Sequence, residues 1–268
     1  MPARLRARST LNDNESEPRR GHGARILKRP GRTAFALVFV MCGSAWAGRP
    51  LNTDDAAILP EGGCQLETWL RRARDLHEIV VQPACNPWGG VEWGAVFAST
   101  RPVDRSTQSS LGVQGKTVFK EVQTGGWGAG LTIGATRHAD GDVAGTTRMG
   151  TLIFSGAPSD ALMLHANLGV AQAPARSALA NWAAAVEYSV IETWTLVAES
   201  YGERHGRPTL QIGARTWLRP ETVQLDATLG REHVDGRHRS FITVGMVWNW
   251  GAPASASAAP AMAARPRP

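Results

Sequence analysis

Lysine, cysteine and tyrosine are scarce in this 268-residue chain: three lysines (Lys28, Lys116, Lys120), three cysteines (Cys42, Cys64, Cys85) and two tyrosines. Long apolar runs are scarcer still. One lies between Ala34 and Cys42; it is short of the roughly 20 residues that a membrane-crossing helix needs, and no second run follows. After Ala47 no stretch sustains a 3.6-residue apolar period, which excludes a helical bundle. No glycine-rich run opens a helical pattern, so the 29 glycines belong to turns and strand walls rather than to a phosphate cradle.

A basic surface is also missing, despite the formal charge of +6. Residues 1–47 hold nine basic groups against Asp13, Glu15 and Glu17, which leaves 20 basic and 20 acidic residues from Gly48 onward. The positive charge therefore belongs to the leader, and the neutral remainder offers no patch for nucleic acid.

The leader has its own logic. A basic stretch ends at Arg32, the apolar run follows, and Ala45-Trp46-Ala47 places small residues around a cut before Gly48. That is the order of a secretory signal peptide with an extended basic N-region, over 1–47. Export and cleavage leave Cys64 and Cys85, and an oxidising compartment lets them pair as one disulfide. If the two face each other in an antiparallel hairpin, the turn falls at Arg74-Asp75. Thr68 then faces Val81 and Leu70 faces Ile79, all on one face, because alternate residues share a face.

What the chain has in abundance is two-residue alternation. Trp127, Ala129, Leu131, Ile133 and Ala135 alternate with Gly128, Gly130, Thr132 and Gly134; 162–170, 210–217 and 223–230 behave alike. Turn signals separate them, among them Pro87-Trp88-Gly89-Gly90, Asp140-Gly141 and Asp235-Gly236. Strands centre near 68, 80, 96, 115, 131, 152, 166, 186, 197, 213, 226 and 245. A membrane strand takes about 9–11 residues, so roughly 15–16 residues per strand and turn suits a spanning barrel. The fold class predicted is all-β: an antiparallel transmembrane β-barrel of about 12 strands, range 10–14, over residues 64–250. A periplasmic lead-in at 48–63 precedes it and a disordered Ala/Pro-rich tail at 251–268 follows.

On that reading the aliphatic face meets lipid and the alternate set lines the lumen. The lumen set is Glu67, Glu78, Glu92, Lys116, Lys120, His165, Asn167, Glu187, Glu199, Arg215, Asp226 and Asn249. Glu199, Arg215 and Asp226 fall on consecutive strands, where an acid–base–acid ladder is expected. Of the ten tryptophans, Trp69, Trp88, Trp93, Trp127, Trp182, Trp194, Trp248 and Trp250 sit near strand ends. Girdles at both membrane interfaces would place them there, because indole is apolar with one polar edge. The parity of Trp217 points it inward.

Arg49-Pro-Leu-Asn-Thr-Asp-Asp-Ala56 followed by Cys64-Gln-Leu-Glu-Thr-Trp69 resembles the mature start of a family of exported proteobacterial outer-membrane proteins of the phenol meta-cleavage pathway type. The resemblance implies an outer-membrane barrel of a Gram-negative bacterium that moves small compounds, often aromatic or hydrophobic, and it brings no catalytic residues. Thr53-Asp54-Asp55 would then plug the lumen, cap the barrel or form a plain periplasmic lead-in. The final strand, Ser240–Trp250, resembles the assembly signal of such barrels, so the partners expected are membrane lipid, the secretion and barrel-assembly machinery and an unidentified small solute.

Enzyme readings have less behind them. His205, Glu232, His233, Asp235 and His238 suggest a metal site, but neighbouring arginines crowd them and no two histidines have a ligand spacing backed by a third. His165 with Ser155 or Ser189 could make a barrel-borne hydrolase by parity alone. No metal and no cofactor are expected. A passive pore or uptake channel is the function expected, with a membrane-embedded hydrolase or a non-transporting envelope protein as alternatives.

Overall fold

The computed structural model describes residues 49–103, 105–139 and 144–251. The leader at 1–47, the tail from 252 and the Asp140-Gly141 turn lie outside the described residues. Twelve strands follow one another: β1 (Gly63–Ala73), β2 (Leu76–Asn86), β3 (Glu92–Pro102), β4 (Gln108–Lys120), β5 (Trp127–His138), β6 (Gly145–Ser159), β7 (Leu162–Gln172), β8 (Leu179–Ile191), β9 (Trp194–Glu203), β10 (Thr209–Arg219), β11 (Val223–Val234) and β12 (Arg237–Trp250). Each contains one of the strand centres expected from alternation. Each pairs antiparallel with its sequence neighbours, and β1 closes on β12 from Cys64↔Trp250 to Ala73↔Phe241. No edge is left unpaired, so every strand satisfies its backbone within the wall.

Burial is inverted relative to a water-soluble protein. Along β2, Ile79 is 51% exposed while its neighbour Glu78 is 5% exposed. Leu70, Ile133, Leu168, Ile212, Leu229 and Val244 are likewise on the outside, and the buried set is dominated by Glu, Gln, Thr, Asn and His. An apolar exterior around a polar interior is stable when the exterior meets hydrocarbon. Cys64 and Cys85 form the expected disulfide, in the register that pairs Thr68 with Val81 and Leu70 with Ile79.

The two rims differ. Call the rim that holds Gly63 and Trp250 the near end; the other is the far end. Four register shifts, at Val118/Lys120, Gly156/Ser159, Ser189/Ile191 and Trp217/Arg219, all sit where even-numbered strands reach the near end. Trp93, Trp127, Trp194, Trp248 and Trp250 also gather at this rim, between 44% and 55% exposed. Trp182, half-buried near the start of β8, lies toward the far end. The rim tryptophans thus make one belt instead of two. Trp69 departs further: it is mid-strand, half-buried and stacked beneath the Arg49 guanidinium, 4.7 Å from its ring centroid.

Candidate functional site

Residues 49–59 run inside the near-end half of the barrel, so this part of 48–63 is not the periplasmic lead-in expected from sequence. The correction has a physical cause: the segment supplies backbone N–H groups and carboxylates to inward side chains such as Glu92, Lys116 and Glu199. The segment meets a residue on every strand. Leu59 N–H donates to Glu92 on β3, and its carbonyl accepts from Asn86 Nδ2 on β2. Ala56 N–H donates to Ser155 Oγ on β6 at 2.8 Å. Asp54 takes Lys116 Nζ of β4 at 2.6 Å and Thr132 Oγ1 of β5 at 2.9 Å, and its carbonyl accepts from Asn167 Nδ2 of β7.

The remaining strands hold the N-terminal half. Leu51 packs between Ala185 of β8 and Val197 of β9. Glu199 of β9 accepts from the backbone N–H groups of Asn52 and Thr53, both at 2.9 Å, and from the Thr53 hydroxyl at 2.8 Å. Gln211 of β10 donates to the Pro50 carbonyl, and Gln224 of β11 to the Arg49 carbonyl. Arg49 pairs with Asp226 of β11 at 2.7 Å and stacks over Trp69 of β1. On β12 the absent side chain of Gly245 makes room: a Cβ there would stand 2.5 Å from Arg49 Nη2.

The contacts of Asp54, Glu92, Glu199 and Arg49 are charge-assisted and buried, so that an unpaired partner is costly. Desolvation pushes the Asp54 carboxyl up to about 7, against the pull of Lys116 and Thr132. Burial acts on Asp55 too, but Lys116, 2.8 Å away, together with His165 and Arg215 outweighs it and holds this carboxyl below the usual range.

Of the polar residues expected inside, Glu92, Lys116, His165, Asn167, Glu187, Glu199 and Asp226 are buried in the lumen, and Arg215 is half-buried beside them. Six of them (Glu92, Lys116, Asn167, Glu199, Arg215 and Asp226) contact the inserted segment through their side chains. Lys120 is a correction. The bulge at Val118/Lys120 reverses parity, so this lysine is exposed, its ammonium 3.5 Å from the ring centroid of Trp127. The acid–base–acid ladder does not form either. Arg215 and Asp226 are register partners, but Glu199 stands opposite Gln211, four positions away. The acids turn to the inserted segment, and Arg215 pairs with Glu187 of β8.

Ser155 and His165 are register partners, with Oγ 2.8 Å from Nδ1. Ser155 Oγ already accepts from Ala56, and the carboxylate that would orient the imidazole, Glu187, is 3.7 Å from Nε2 and engaged by Arg215. Ser189 lies instead beside Thr195. His233 and His238 pack edge to face across the last hairpin, while Glu232 accepts from Arg239 and pairs with Arg71. Among the described residues, no three His, Cys, Asp or Glu side chains are grouped to hold a metal ion.

Sequence reasoning missed Arg49, Asn52, Gln211, Gln224 and Gly245. Alternation did place Gln211, Gln224 and Gly245 on the inward face, but nothing local distinguishes a glutamine that holds a plug from one that meets water.

Comparison with solved structures agrees with the architecture. The "COG4313 outer membrane channel from Pseudomonas putida F1" superposes with a TM-score of 0.57 at 9% identity, covering 73% of this chain and 98% of that one. "KdgM porin" gives 0.55 at 8%, covering 69% and 98%, and "NanC porin" gives 0.52 at 11% with the same coverage. At such identities the likeness is one of fold. No curated protein matches the sequence. A family model does match, across residues 36–250, and by it the chain belongs to the family described as uncharacterised conserved protein UCP029691.

Proposed function

We propose that the chain is an exported outer-membrane channel for small solutes, closed at rest by its own N-terminal segment. The observation that carries this reading is the contact between residues 49–59 and all twelve strands. A closed wall with a polar interior is filled by a segment held through hydrogen bonds, ion pairs and packing, and joined covalently only through residues 60–62. Such contacts can be given up one by one. The near end, where the segment enters the barrel, is then the periplasmic rim, and the leader at 1–47 is removed on export. The fold of the porins and the channel above supports the reading, as does the lipid-compatible exterior.

Aromatic or hydrophobic compounds are proposed among the solutes, on the resemblance of Arg49–Ala56 and Cys64–Trp69 to the phenol meta-cleavage type proteins. The hydrolase reading has only the Ser155–His165 contact behind it, and the geometry around that contact suits a structural hydrogen bond.

Planar-bilayer recording of the full chain and of a variant lacking residues 49–59 tests the proposal. The full chain should show rare or small openings, and the deletion should conduct several-fold more. A deletion variant that still assembles as a heat-modifiable barrel but stays electrically silent would overturn the channel reading.

A further inference from the structure

Between the inserted segment and the far-end hairpins lies a cavity floored by Arg49, Pro50 and Asn52. Its charged lining is balanced. Arg71 is paired with Glu232 at 2.6 Å, reaches Glu78 at 4.0 Å and stacks 4.2 Å over Phe241, while Arg49 is held by Asp226. The wall therefore keeps no spare charge to replace the hydration of an ion. Trp69, Val80 and Val96 give the cavity an apolar side.

Gln114 stands apart on this wall, because the other unpartnered atoms, on Arg49 and Arg71, are donors only. It is 5% exposed, and neither its Oε1 nor its Nε2 has a hydrogen-bond partner. Its register partners on the two adjoining strands are both glycines, Gly94 on β3 and Gly134 on β5. Neither partner brings a side chain alongside the amide. At Gly134 the room a side chain would need is taken by Gln114 and Met149, since a Cβ there would stand 2.9 Å from Gln114 Cβ and 3.3 Å from Met149 Cε. A buried amide with donor and acceptor both free calls for a partner offering both.

We propose that this cavity is a binding site for a small uncharged solute with an amide-type edge, one N–H beside one C=O, on an apolar body. Gln114 reads the edge through paired hydrogen bonds, and Trp69, Val80 and Val96 receive the body. The site rests on the channel reading and names the solute class that such a channel would select.

Equilibrium dialysis of the purified full chain in detergent tests it, with benzamide, benzoate and benzylammonium as probes on one common ring. Benzamide should be retained saturably at one site, and the two charged probes at least about tenfold more weakly. Gln114→Leu should weaken benzamide at least about tenfold. Gln114→Glu should weaken it too and bring up benzylammonium, so that a result stands even if the leucine variant fails to assemble. Equal retention of benzoate, no retention of benzamide, or full benzamide affinity in both variants would overturn the site. Because dialysis needs no flux, a silent bilayer leaves this result intact, and a conducting chain that ignores benzamide loses only the site.

Discussion

Lys116 is one of only three lysines in the chain, and its placement explains why it is not an arginine-like surface group. Its ammonium sits between Asp54 and Asp55, at 2.6 and 2.8 Å, with Thr132 completing the Asp54 carboxylate. Replacing it by methionine keeps the bulk and leaves the two carboxylates without the ammonium they share. Breaking a buried pair by removing one member costs about 3–5 kcal/mol. Here the cost falls on the inserted state, because the segment can relieve it by leaving the lumen. Lys116→Met is therefore expected to raise maleimide labelling of a cysteine placed at Leu51 at least tenfold over the same cysteine with Lys116 intact. Equal labelling in both backgrounds would show that this ion pair does not hold the segment. Sequence parity put Lys116 inside correctly, whereas Lys120, four residues on, was misplaced. The difference is the intervening bulge, which one extra residue creates and alternation cannot register.

At the scale of elements, the β1–β2 hairpin is the part most legible in the sequence. Two cysteines, a two-residue turn and matched aliphatics all specify one register, and each is a local signal. The disulfide closes a sequence separation of 21 residues, which limits the unfolded chain by about 3 kcal/mol. The hairpin is also held by twelve-strand closure, since Cys64 pairs with Trp250 on its other side. A Cys64→Ser, Cys85→Ser variant should consequently assemble and lose stability without losing the fold. In gels run without boiling, its conversion to the unfolded band should come at a lower temperature than for the native chain. Failure to assemble at all would mean that the bridge is needed to form the barrel and not merely to stabilise it. The tryptophans were less legible. Their closeness to strand ends is local, but which rim they share depends on strand direction, and that placed Trp88, Trp93, Trp127, Trp194, Trp248 and Trp250 at the near end.

For the whole molecule, closure and inverted burial make one shared prediction. A wall with no free edge and an aliphatic exterior resists denaturing detergent until heated. The native chain should migrate faster unheated than boiled, and should remain with outer-membrane fractions after carbonate extraction. Recovery as a free soluble species would overturn the membrane reading. Strand number, facing and hairpin register were set by the sequence alone, because alternation, turn residues and cysteine spacing act over a few positions. What occupies the lumen was decided only by the tertiary structure. Closing β1 on β12 brings Arg49 to Asp226, 177 positions away, and Asp54 to Asn167, 113 away. No periodic pattern spans such distances, and the same inward glutamate can serve an open pore or hold a plug. The physical reason is that facing is a property of one strand, whereas the partner of an inward side chain is a property of the closed ring and of the segment drawn into it.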